Sequence, residues 1–196
     1  MQRVNNDIDL FHRHQKDAAD TTGHAFHLQE QTSTLRRQEQ VFQVIVFISI
    51  VMGIHHLKFA VSNLDVSIAW YERVLGGRRV AGLDHTRLDG TRFAAILEMV
   101  DWGGIYLELR QTAPRAVKDR GWDPVTLTAK GKEDLVKWVE WLERWGTMHS
   151  SVLAGKRGWI LVFEDPDGRR FRIYTREDHG GKEKPSNDAY WLGECS

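Results

Sequence analysis

A single cysteine, Cys195, stands in 196 residues. A lone thiol allows no disulfide within the chain and offers neither a Cys-based metal cage nor a nucleophile. Charge of one sign is also missing, since 27 Lys and Arg balance 27 Asp and Glu. That removes the electrostatic case for nucleic acid or an anionic membrane surface as a partner. A long apolar run is absent too. Residues 41–52, VFQVIVFISIVM, are interrupted by Gln43 and Ser49 and fall short of the ~20 apolar residues of a membrane span. They lie too far along, behind a mixed-charge stretch, to read as a secretory signal. These absences fit a cytoplasmic protein with no membrane partner.

Residues 1–40 lack any sustained apolar period, and Gly23 is their only glycine or proline. His12, His14, His24 and His27 admit metal binding by composition. The same composition describes a solvated, poorly ordered tail, and that reading is preferred. The run 41–52 admits three readings: an extra strand, a buried or partner-seeking segment, or sequence outside the working protein, which would then begin at Met52.

What is present is enough for a core, with 41% hydrophobic residues and eight Trp. The chain is organised around residues 53–77, GIHHLKFAVSNLDVSIAWYERVLGG. Residues 55–61 alternate as a half-buried strand, with His56, Lys58 and Ala60 on one side and Leu57, Phe59 and Val61 on the other. Ser62-Asn63 is turn and N-cap chemistry. Leu64, Ile68, Tyr71 and Leu75 fall at helical spacing, and Gly76-Gly77 ends the helix. Strands are predicted at 78–81, 93–100 and 105–110, with Asp89-Gly90 and 101–104 as turns. Residues 112–120 read as a linker.

The order then repeats. A strand at 122–129 precedes a helix at 132–145 whose Leu135, Trp138, Leu142 and Trp145 share a face. Strands follow at 151–154, 158–164 and 171–175, the last pair joined by the turn Asp165-Pro166-Asp167-Gly168. Two β-α-β-β-β units in tandem, at 53–111 and 121–176, are stronger evidence than any single motif. The fold class is α+β, a cupped mixed sheet with helices outside. The domain is placed at 53–176, between a polar segment (1–52) and a charged tail (177–196) whose Tyr190-Trp191-Leu192 patch is suited to dock back.

These units resemble the vicinal oxygen chelate superfamily, the glyoxalase, bleomycin-resistance and extradiol dioxygenase fold. The resemblance rests on His56 in the first strand, Leu107-Glu108-Leu109 in the fourth, and DPDG before the last. It implies two modules curled around one cup, with a divalent metal on four positions of its floor. Those positions fall on His56, Glu108, Pro124 and Arg172. Proline has no donor atom, and a guanidinium cannot ligate a cation. Half of the ligand set remains.

The expectation is therefore a small-molecule-binding protein with a degenerate metal site, not an enzyme of the usual metal-dependent kind and requiring no cofactor. Its ligand is small and, where Arg172 receives it, anionic. The alternative is a divalent-metal-dependent lyase, isomerase or dioxygenase using His56 and Glu108 with a third ligand, for which His85 and His149 are candidates. Both also read as surface histidines. Glu108 and Arg172 are expected to pair across the cup. His55 is assigned to packing or hydrogen bonding, and Asp123 is expected to point away from the cup. Tyr106, Trp122 and Trp159 are candidate pocket walls as well as candidate core. The resemblance also admits a homodimer.

Overall fold

The structure is a computed structural model that describes residues 53–193 together with Ser33, Thr34 and Arg36. The chain divides into two units, Met1–Gly53 and Ile54–Ser196. In the first, Ser33, Thr34 and Arg36 are helical and exposed. The remaining expectations for residues 1–52, and Cys195, lie outside the described residues. Among the described residues, no helix is long and apolar enough to cross a membrane.

The second unit opens as its period-2 pattern dictates. In β1 (His56–Val61), Phe59 and Val61 are buried and Lys58 is exposed. Asn63 then caps α1 (Leu64–Leu75), its side-chain oxygen accepting from the Val66 N–H at 3.1 Å. Leu64, Ile68, Tyr71 and Leu75 are all buried. Gly76 ends the helix at φ 68°, a left-handed conformation that favours glycine. The chain continues through β2 (Arg78–Arg79), β3 (His85–Thr86), β4 (Arg92–Met99) and β5 (Ile105–Gln111). Parallel pairing of β1 with β5 gives the order β1-β5-β4-β2, with β3 beside β4.

The second module repeats this plan. It comprises β6 (Val125–Ala129), α3 (Lys132–Arg144), β7 (Leu153–Ala154), β8 (Trp159–Glu164) and β9 (Arg170–Thr175), in the order β6-β9-β8-β7. The linker 112–120 holds a helix that the sequence reading missed, α2 (Ala113–Lys118). Pro114 discouraged that assignment, yet proline is tolerated in a helix's first turn, where its missing N–H has no partner to lose. A last short helix, α4 (Ala189–Leu192), follows an Asp188 cap. The tandem α+β plan stands, built as two mixed sheets.

Both sheets turn the same kind of face inward. Phe59, Leu107 and Leu109 of the first sheet share one core with Phe163, Phe171 and Ile173 of the second. Trp70 of α1 lies 6.4 Å from Phe163 and 6.3 Å from Phe171, ring centre to ring centre. Side chains alternate along a strand. The intervening residues, including Glu108 and Arg172, therefore occupy faces turned away from this shared core.

The modules are also clamped by polar groups at the Asp165–Gly168 turn. Buried Asp165 accepts from the Tyr71 hydroxyl at 2.8 Å and from Arg169 Nη1 at 3.0 Å. Arg169 Nη2 donates to the Ala60 carbonyl at 2.6 Å. Asp167 accepts from the Ser62 N–H at 3.1 Å. The contacts to Tyr71, Ala60 and Ser62 join one module to the other, so the turn is a joint as well as a hairpin.

Candidate functional site

The outward face of the first sheet carries a hollow of about 520 Å3 lined by His55, His56, Lys58, His85, Tyr106 and Glu108, with Leu83 and Ile96. The strand register assembles it. His56 sits beside Tyr106 and Lys58 beside Glu108 in the parallel β1–β5 pair, and Ile96 of β4 lies beside Glu108.

Glu108 is the centre of the charge arrangement. It is 2% exposed, and a carboxylate so placed needs countercharges. Arg110, two residues along β5, supplies Nη2 at 2.6 Å and Nε at 2.8 Å, both to Oε1. Lys58 Nζ lies 3.3 Å from Oε2. His56 Nε2 lies 3.9 Å from the same Oε2. Burial works to raise the Glu108 pKa, but hydrogen bonds and charge from Arg110 and Lys58 outweigh it and hold the carboxyl below the usual range.

His55, assigned to packing or hydrogen bonding from the sequence, does hydrogen-bond, and it belongs to this rim. Its Nδ1 lies 2.9 Å from His56 Nδ1, and its ring centre lies 5.8 Å from that of Tyr106. One of the two nitrogens must carry the proton. When His56 is the donor, its Nε2 presents a bare lone pair toward Glu108. His85 lines the hollow as well, packed 5.8 Å from Phe93. His149 does not. It belongs to the second module, where its Nδ1–H donates to the Ser150 carbonyl at 2.7 Å.

Arg172 belongs to β9 of the second sheet and Pro124 precedes β6, whereas His56 and Glu108 belong to the first sheet. The expected Glu108–Arg172 pair is not made. Arg172 Nη2 instead meets Asp123 Oδ2 at 2.5 Å, which corrects the expectation that Asp123 points away. The error came from treating 122–129 as one regular strand, whereas β6 begins only at Val125. Pro124 is exposed and precedes it.

The chain's own C-terminal segment covers part of the second sheet's outward face. Trp191 and Leu192 pack against Leu153, Ile160 and Val162, and the Arg170 guanidinium lies 4.6 Å from the Tyr190 ring centre. Of the candidate aromatic walls, Tyr106 lines the first hollow, Trp122 is exposed and Trp159 is in the core.

Lys58 and Arg110 were missed as site residues. Their signal was present, since Tyr106, Glu108 and Arg110 alternate onto one face and Lys58 follows His56 at the same period. Among the described residues, no three His, Cys, Asp or Glu side chains are placed to hold one metal ion together. His56 and Glu108 supply two donors. Two donor bonds of about 2.1 Å set their donors about 3.4 Å apart at a tetrahedral angle, so the 3.9 Å gap between Nε2 and Oε2 would have to narrow for one ion to bridge them.

Comparison with known proteins agrees with this fold. The profile of the Glyoxalase/Bleomycin resistance protein/Dioxygenase superfamily matches residues 53–173. A metallothiol transferase, FosB, of Bacillus licheniformis is 28% identical over 133 residues, 64% of this chain and 76% of the relative. The FosB of Staphylococcus epidermidis is 24% identical over 130 residues, 64% of this chain and 82% of that protein. Among solved structures, a mutant fosfomycin resistance protein FosX of Listeria monocytogenes, complexed with Mn(II) and 1S,2S-dihydroxypropylphosphonic acid, aligns with TM-score 0.52 at 13% identity. It covers 64% of this chain and 92% of that one. TnmS3, an antibiotic binding protein of Streptomyces, aligns with TM-score 0.50 at 17% identity, over 64% and 96% of the two chains. The Mn(II) of the FosX complex, with the metallothiol transferase name of the FosB relatives, overturns the expectation of no cofactor.

Proposed function

The chain belongs to the glyoxalase/bleomycin resistance protein/dioxygenase superfamily, and on that premise we propose that the hollow on its first sheet binds a small anionic molecule together with a divalent metal. The observation that carries this reading is the 3.9 Å approach of His56 Nε2 to Glu108 Oε2 inside a hollow also lined by Lys58, His55 and His85. An imidazole nitrogen and a carboxylate oxygen are donors of the kind a divalent ion of the zinc–manganese class takes. His55 supports the required tautomer by taking the His56 Nδ1 proton into its contact. Bound there, the metal would supply a Lewis acid for the ligand's oxygens.

The residues divide the remaining work. Arg110 holds Glu108 ionised and in position, while Lys58 gives the hollow a positive group at its rim. Relatives named for fosfomycin resistance, and one complexed with a phosphonic acid, support an anionic ligand of that size.

The test is Mn(II) stoichiometry by equilibrium dialysis on the full chain. One ion per hollow is expected, lost on His56→Ala and weakened at least tenfold by Glu108→Gln. Binding that is indifferent to both substitutions would overturn the reading.

A further inference from the structure

The sequence aligns Leu135, Trp138, Leu142 and Trp145 on one helix face, yet only the two leucines are buried. Trp145 is 38% exposed, and Trp138 and Trp141 are part-buried. Trp138 and Trp141 border a second hollow of about 360 Å3 between α1 and α3, on the opposite side of the first sheet from His56 and Glu108. Trp102, Trp138 and Trp141 form its apolar walls, and exposed Arg73, Lys137 and Asp101 add charge to the lining. Each ring is held by a contact to the body of the domain. Ring centre to ring centre, Trp102 lies 6.0 Å from Phe171 and Trp138 stacks on Phe163 at 6.0 Å. The Trp141 indole N–H donates to the Val74 carbonyl at 3.0 Å.

We propose that this groove is a second binding site, for a small flat aromatic molecule carrying one anionic group. Its volume lies at the small end of ligand pockets, which run to roughly 300–1,000 Å3, and suits one fused ring system. Indole walls already fixed in place can stack a flat ring without the entropic cost of ordering them. The sign of the charge follows from the lining. Among the described residues Arg73 makes no ion pair, its guanidinium resting 4.9 Å from the Trp145 ring centre. Lys137 has only Asp134, at 3.9 Å on an exposed helix surface, where such pairs are weak. These two cations outnumber Asp101, so an anionic group is favoured over a cationic one. Asp101 is also without a partner among the described residues, and can accept from an N–H or O–H on the same ring.

The experiment is calorimetric titration of the full chain with naphthalenesulfonate and with uncharged naphthol as probes. Thermal melts confirm that each variant is folded. Wild type is expected to bind naphthalenesulfonate about tenfold more tightly than naphthol. Arg73→Gln combined with Lys137→Gln should erase that difference and leave naphthol binding as it was. Both of these side chains are exposed, so the double variant keeps the fold. Trp141→Leu should weaken both probes about tenfold. Lys58→Gln, in the other hollow, should change neither. Equal affinity of wild type for the two probes, binding of both weaker than about millimolar, or a double variant that still prefers the sulfonate would overturn the proposal. Loss of binding on Lys58→Gln with none on Trp141→Leu would place the ligand in the first hollow and overturn it equally.

Discussion

Glu108 ties local chemistry to stability as well as to binding. Its carboxyl is held below the usual range because Arg110 and Lys58 outweigh the effect of burial. A depressed acid stabilises the fold above its unfolded pKa of about 4.3, and loses that contribution as pH falls through its lower folded value. The melting temperature of wild type should therefore exceed that of Glu108→Gln by a constant margin above about pH 5, and the margin should close on further acidification. A margin that persists unchanged into acid would show that the charge is not what Glu108 contributes. Arg110→Ala removes two charge-assisted bonds but leaves Lys58 in place, and should cost about 2 kcal/mol in denaturant unfolding. At this scale His56 and Glu108 were legible from motif and period. Their partners were not, because pairing depends on the β1–β5 register, which a sequence does not state. Arg172 was misjudged for the same reason: its partner, Asp123, precedes the regular strand.

Among the elements, α1 was the most legible, since its cap, apolar face and glycine stop all agree. The helix in the 112–120 linker was hidden by Pro114, and β2 and β3 are too short to show a period. The Asp165–Gly168 turn was recognised as a hairpin, but its role as a joint came from contacts with Tyr71, Ala60 and Ser62 that lie about a hundred residues away. Gly168 sits at φ 77°, with the Arg120 side chain 3.1 Å from where a β-carbon would stand. Gly168→Ala should accordingly destabilise by about 1–2 kcal/mol, read as a lower denaturation midpoint. The C-terminal patch was foreseen to dock, and it does so on Leu153, Ile160 and Val162. Ending the chain at residue 185 uncovers them and should lower the melting temperature by about 5 °C. An unchanged melting temperature would mean that this contact contributes nothing to stability.

At the scale of the molecule, the tandem plan was readable because the same order of elements occurs twice. The packing of one module against the other was not. Whether two sheets share an inward or an outward face depends on how the modules pack, and here Phe59, Phe163 and Phe171 place both helix-covered faces in one core. The unit Ile54–Ser196 contains that whole core. A chain beginning at Met52 should thus fold, with a melting temperature within about 5 °C of the full chain.

The most direct test of the site is anomalous diffraction from crystals equilibrated with Mn(II) and phosphate. The expected result is a manganese peak bonded to both His56 Nε2 and Glu108 Oε2. Full manganese occupancy elsewhere, with no peak between the two donors, would contradict it.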